Sequence, residues 1–127
     1  MKTVFIIDRD LGFVFWLGQV LLAAGYEVIP AKGTSEATAL IGELQPQVDL
    51  LIVNPSLAGA ASLVAVLRRS RADLKVLLLT GDTERRIPFP DAILQKPLHA
   101  DHFASSVWLQ CVEQLIARKV SAAPRLN

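Results

Sequence analysis

The chain has 127 residues, which suits one domain built around a single core. Hydrophobic residues make up 52% and charged residues 20%, which excludes a disordered chain, and a formal charge of +1 gives no electrostatic argument for nucleic acid or an anionic membrane. The single cysteine, Cys111, excludes an intrachain disulfide and fits a reducing cytoplasm.

Taken in chain order, short apolar runs alternate with longer segments of helical spacing. Thr3 to Ile7 reads as a strand, and Leu11 to Ala24 as a helix stopped by Gly25. That helix is the most hydrophobic stretch. It is too short to span a bilayer, and it follows Asp8-Arg9-Asp10 rather than the basic start of a signal peptide. Tyr26 to Ile29 is a second strand, and a second helix capped by Thr34 or Ser35 runs to Leu44, with Pro46 beyond it. Leu50 to Val53 is a third strand. Ala60 to Arg71 is a third helix whose cations Arg68, Arg69 and Arg71 suit its C-terminal end. Leu74 to Leu79 and Ala92 to Leu94 are the last strands, and Ala100 to Val120 the last helix. Residues 1–120 form the domain, and 121–127 read as a flexible tail.

Strands one, three and four are near-continuous apolar runs, the pattern of strands buried on both faces. The expectation is therefore an α/β, doubly wound, five-stranded parallel sheet of order 2-1-3-4-5. Its switch point lies between strands one and three, which end at Asp8 and Asn54.

Four features converge beyond the strand ends: Asp8-Arg9-Asp10, Asn54, Thr80, and Lys96 before Pro97. With Gly25-Tyr26-Glu27-Val28, Asp49 to Val53, Ser56-Leu57, Gly59 and Leu79-Thr80-Gly81, this ordered set resembles the response-regulator receiver domains of two-component phosphorelay signalling, from Val4 to about Arg118. The resemblance implies the flavodoxin-like receiver fold. It also implies a pair of acids holding Mg²⁺ after strand one, a phosphorylated aspartate after strand three, a Thr or Ser after strand four, and a lysine.

Two of those positions depart from the pattern. Asn54 stands at the phosphoacceptor and Arg9 at the second acid. An amide oxygen is a poor nucleophile, and Mg²⁺ prefers carboxylate and water oxygens. Asp8, Arg9, Asn54 and Lys96 together carry a formal +1, which repels a divalent cation. No bound Mg²⁺ or other cofactor is expected, with Asp8 and Asp10 the weak metal candidates. Asn54 should also persist as an amide, because Pro55 lacks the N–H that attacks in deamidation. The family's inward-turning Tyr or Phe is replaced by Ile93, read as a buried strand residue. Only fifteen residues separate Thr80 from Lys96, and prolines 88 and 90 lie among them. The fourth helix of the family is thus shortened to Asp82–Ile87 at most, about 9 Å.

A docking surface is sought on the first and last helices. Leu17, Leu21, Ala24, Val20, and Phe13 or Val14 have the spacing to face the sheet. On the last helix Phe103, Val107 and Cys111 suit the core. Phe15, Trp16 and Leu22 with Trp108, Val112 and Leu115 would then form an exposed apolar patch for a homodimer or another protein.

The functional expectation is a pseudo-receiver: not an enzyme, cytoplasmic, and acting on a protein partner such as a histidine kinase. Neither nucleic acid nor membrane is expected as a partner, and 127 residues leave no room for an output domain unless the chain is a fragment. Two alternatives stand beside it. One is an anion-sensing crevice using Arg9 and Lys96. The other is phosphorylation at a non-standard residue, with Ser56, Asp10, His99 and His102 as candidates.

Overall fold

A computed structural model describes residues 1–80, 87–99 and 101–118, with the side chain of Thr80 outside that description. Five parallel strands lie in the order β2-β1-β3-β4-β5. They are β1 (Thr3–Ile7), β2 (Glu27–Ala31), β3 (Leu50–Val53), β4 (Lys75–Thr80) and β5 (Ala92–Gln95). The described helices are α1 (Leu11–Ala23), α2 (Thr34–Leu44), α3 (Ala60–Ser70) and α4 (His102–Ala117). This is the expected topology. The short helix expected at Asp82–Ile87 and the tail at 121–127 fall on residues outside the described set, apart from Ile87, which is buried but not helical.

Every residue of β1 and β3 is buried, because the period-two alternation of a strand sends its side chains into two separate cores. Phe5, Ile7, Leu51, Val53, Val76 and Leu78 pack with α2 and α3 on one face. Val4, Ile6, Leu50, Ile52, Leu77 and Leu79 pack with α1 and α4 on the other. The register sets Phe5 beside Ile29 and Leu51, and Ile52 beside Leu77, so each layer is continuous across the sheet. Strand β2 runs two residues past the expected end and includes Pro30, which an edge strand tolerates because one side of it needs no ladder bond.

The helix ends follow from local chemistry. Asp10 caps α1 by accepting from Phe13 N at 3.2 Å, and Asp101 caps α4 by accepting from Ala104 N at 2.9 Å. At the end of α1, Gly25 has φ 96°. Tyr26 N donates to Leu21 O and Gly25 N to Leu22 O, both at 3.0 Å, a Schellman closure that needs the left-handed residue glycine supplies. Neither Thr34 nor Ser35 caps α2. Gly33 holds the cap position, while Thr34 Oγ donates to Ala58 O at 2.6 Å, across to the start of α3. Gly59 there has φ 81°, and a Cβ would meet Thr34 Oγ at 3.2 Å.

Three burial expectations are overturned. Trp108, Val112 and Leu115 do not form an outer stripe; all three are buried in the core between α4 and the sheet, with Ala104. Phe103, at 76% exposure, and Val107 face outward instead. Both stripes have helical spacing and differ by about 100° of rotation, so spacing alone does not choose between them. The larger Trp108 takes the inside position, with its ring edge-on to Phe13 at 5.5 Å. Ile93 is exposed rather than buried, because β5 is an edge strand and only Ala92 and Leu94 turn toward α4. Ala24 is exposed as the C-cap of α1, past the last turn that faces the sheet.

Candidate functional site

The loops after β1 and β3, with Lys96 after β5, meet at one crevice. Asp8 lies one residue beyond β1 and is 1% exposed. Its backbone continues the ladder by donating to Ala31 O at 3.1 Å, and Asn54 N does the same to Ile7 O at 3.1 Å. The sheet thus fixes both residues side by side.

Asp8 is engaged from three directions. Oδ1 accepts from Asn54 Nδ2 at 3.0 Å and from its neighbour's backbone, Arg9 N, at 2.8 Å. Oδ2 accepts from Lys96 Nζ at 2.8 Å. A carboxylate buried this deeply is stable only when paired and hydrogen-bonded, and these three donors meet that requirement. The Lys96 ammonium also lies 5.6 Å over the Phe13 ring, a cation–π contact that holds it toward Asp8. Phe13 is itself braced by Trp16 at 6.0 Å and Trp108 at 5.5 Å.

Asn54 is bound on both sides. Its Oδ1 accepts from Ser56 N at 2.9 Å and Ser56 Oγ at 2.7 Å, while Nδ2 donates to Asp8. The arrangement uses an amide's two faces, one accepting and one donating. A carboxylate at this position would set one anion against another at hydrogen-bond distance.

The remaining residues fall around this centre. Asp10 Oδ2 lies 3.8 Å from Lys96 Nζ, while its Oδ1 serves the α1 cap. Adding Asp10 to the tally of charged groups brings the formal +1 to zero, so the crevice is not a positive pocket. Arg9 is exposed, and among the described residues its guanidinium makes no hydrogen bond or ion pair. Thr80 closes β4 opposite Gln95, with its side chain outside the description. His99 and His102 are both exposed near the start of α4. Among the described residues no group of three His, Cys, Asp or Glu side chains is placed to hold a metal ion.

Of the expected interaction surface, Phe15 and Leu22 are exposed on α1 and Trp16 is partly buried. The partners expected from α4 are in the core, so the two stripes do not merge. Sequence reasoning missed the contribution of Phe13 to the crevice. Its only signal was an aromatic residue one turn into a helix that starts beside the charged loop.

No protein-family model and no curated protein matches the chain. Solved structures do match. A response regulator from Chloroflexus aurantiacus is 28% identical, with 92% of this chain and 98% of that one covered and a TM-score of 0.70. A two-component response regulator from Clostridium difficile superposes with a TM-score of 0.74 at 19% identity, covering 95% and 100% of the two chains. The response regulator TrrA from Thermotoga maritima, solved in complex with Mg²⁺ and BeF, gives 0.68 at 22% identity over 91% and 99%. The sheet order, the described helices and these superpositions agree: the chain has the fold of response-regulator receiver domains.

Proposed function

We infer that this chain is a receiver-type module of two-component signalling that does not take up phosphate at position 54 and acts by binding another protein. The observation that carries this reading is the occupation of Asp8. Both of its oxygens are bonded by the protein itself, to Asn54 at 3.0 Å and Lys96 at 2.8 Å.

Mg²⁺ requires oxygen ligands that it can pull away from other donors, one or two of them carboxylates. In this crevice Asp8 already accepts from Arg9 N, Asn54 and Lys96, Asp10 caps a helix, and Asn54 Oδ1 is taken by Ser56. The residues present do not fit the ion. Asn54 offers no nucleophilic carboxylate, and the carbonyl oxygen it does carry already accepts two hydrogen bonds. The receiver fold of the matched structures supports signalling as the setting, with a kinase or another signalling protein as the partner. An anion-sensing role gains nothing from the geometry, because Asp10 and Asp8 both face the Lys96 ammonium. The receiver fold of the matched structures supports reading the chain as a binding module rather than an enzyme.

An amide NMR titration with Mg²⁺ and then beryllofluoride tests this reading, with Asn54→Asp run beside the native protein. The expected result is no saturable shift at Asp8, Asn54 or Lys96 in the native protein. Saturable shifts clustered at those residues would overturn it and establish a metal-dependent switch.

A further inference from the structure

The sheet has a second charged end, opposite the crevice, where the first residues of the strands meet the end of α4. Lys75 opens β4, and the four residues after it, Val76 to Leu79, are all buried and apolar. The ladder fixes its backbone, with Lys75 N donating to Asp49 O at 3.3 Å. The period of two sends Leu77 and Leu79 toward α1 and α4, and Lys75 shares their side of the sheet. The side chain is therefore covered, and Lys75 is only 9% exposed. Its Nζ donates to Arg118 O, at the C-cap of α4, at 2.6 Å.

A buried ammonium is stable only when its three N–H groups and its charge are both met. Arg118 O meets one N–H. Among the described residues no carboxylate lies within 4.0 Å of Lys75 Nζ. Lys75 lines a cavity of about 290 Å³ together with Lys2, Asp49, Arg71, Asp73 and Arg118. Both carboxylates there are held by Arg71, with Nη2 2.9 Å from Asp49 and Nε 2.8 Å from Asp73. Lys2, 3.9 Å from Asp49, and Arg118, 3.9 Å from Asp91, are loosely held and more than half exposed. Four cations thus line the cavity against two carboxylates, a formal +2. The C-terminus of α4 contributes roughly half a negative charge. Asp91, outside the lining, adds one more, and the balance stays positive. The crevice differs, because there Asp8 and Asp10 both face a single ammonium.

Like charges gathered round one cavity repel, and an anion placed among them removes that cost. Pockets for drug-sized ligands run from roughly 300 to 1,000 Å³ and are mostly apolar. This cavity lies below that range, and its side chains are mostly charged. It suits a compact oxyanion, which accepts N–H donors from every side, and not a nucleotide base or an acyl chain.

We propose that the cavity between Lys75, Lys2 and Arg118 binds a small inorganic oxyanion of the phosphate or sulfate type, which ties the start of β4 to the end of α4. This goes beyond the signalling reading and does not depend on the state of the crevice. An amide NMR titration of the full chain with inorganic phosphate, free of Mg²⁺, tests it beside sodium chloride at matched ionic strength. Saturable shifts are expected at Lys2, Lys75, Val76, Ala117 and Arg118, and sulfate should move the same amides. Lys75→Met should weaken binding by about tenfold or more, the scale of hydrogen bonds to a charged group. If that variant fails to fold, Lys2→Gln combined with Arg118→Gln decides, since both side chains are exposed; it should weaken binding by about threefold. Shifts that chloride reproduces would overturn the proposal. So would shifts confined to Arg9, Asn54 and Lys96, or an affinity that both variants leave unchanged.

Discussion

An asparagine at position 54 donates to Asp8 at 3.0 Å while accepting from Ser56, and no carboxylate can do both. The second half of this centre is the Lys96 ammonium, the cation paired at 2.8 Å with a carboxylate that is 1% exposed. Lys96→Met removes the ammonium and leaves Asp8 without its counter-charge. We expect a loss of about 3 kcal/mol, the scale for stranding a buried charge, read from urea unfolding at neutral pH. Loss of less than about 0.5 kcal/mol, the range of ordinary surface substitutions, would show that Asp8 does not depend on the pair. Cys111 gives a second prediction at this scale. Burial pushes its thiol pKa above the ordinary value, with Arg118 opposing that shift more weakly. The folded protein therefore holds the thiol protonated at pH values where the unfolded chain has begun to ionise. Alkylation by iodoacetamide at mildly alkaline pH should be slower in the native protein than after denaturation, and equal rates would contradict it.

Helix α4 shows how an element is oriented by more than its own spacing. Its two candidate stripes, one through Phe103 and one through Trp108, are equally periodic, and only packing against Phe13 and the sheet separates them. Trp108→Ala should cost about 3–5 kcal/mol, the range for emptying a buried aromatic site. Phe103→Ala, at an exposed position, should change stability by no more than about 0.5 kcal/mol. Denaturant midpoints of the two variants check the orientation directly, and a larger cost at Phe103 would mean the helix is turned the other way. Helix α1 is ambiguous for a different reason: it has apolar residues all round, and the structure still leaves Phe15 and Leu22 exposed.

Across the whole molecule, stability should fall from the centre of the sheet to its edges. Strands β1 and β3 and most of β4 are buried on both faces, whereas β2 and β5 alternate or expose their residues. Amides of Val4–Ile7, Leu50–Val53 and Val76–Leu79 should exchange with solvent only through global unfolding, and those of β2 faster. Native-state hydrogen exchange measures this order.

The sequence by itself determined the features that depend on local chemistry. Uninterrupted apolar runs marked strands buried on both faces. Gly25 marked the end of α1. The residue types at positions 8, 54 and 96 marked a crevice with an amide where a carboxylate would be expected. Hydrophobic runs and side-chain chemistry are properties of neighbouring residues, so they can be read before folding. Only the tertiary structure decided which stripe of α4 is buried, that Ile93 faces outward, and that Asp10 lies close enough to Lys96 to cancel the crevice charge. Each of these depends on residues brought together from far along the chain. A helix can rotate by one residue without changing its periodicity, and a strand does not carry in its own composition whether a neighbour will cover it.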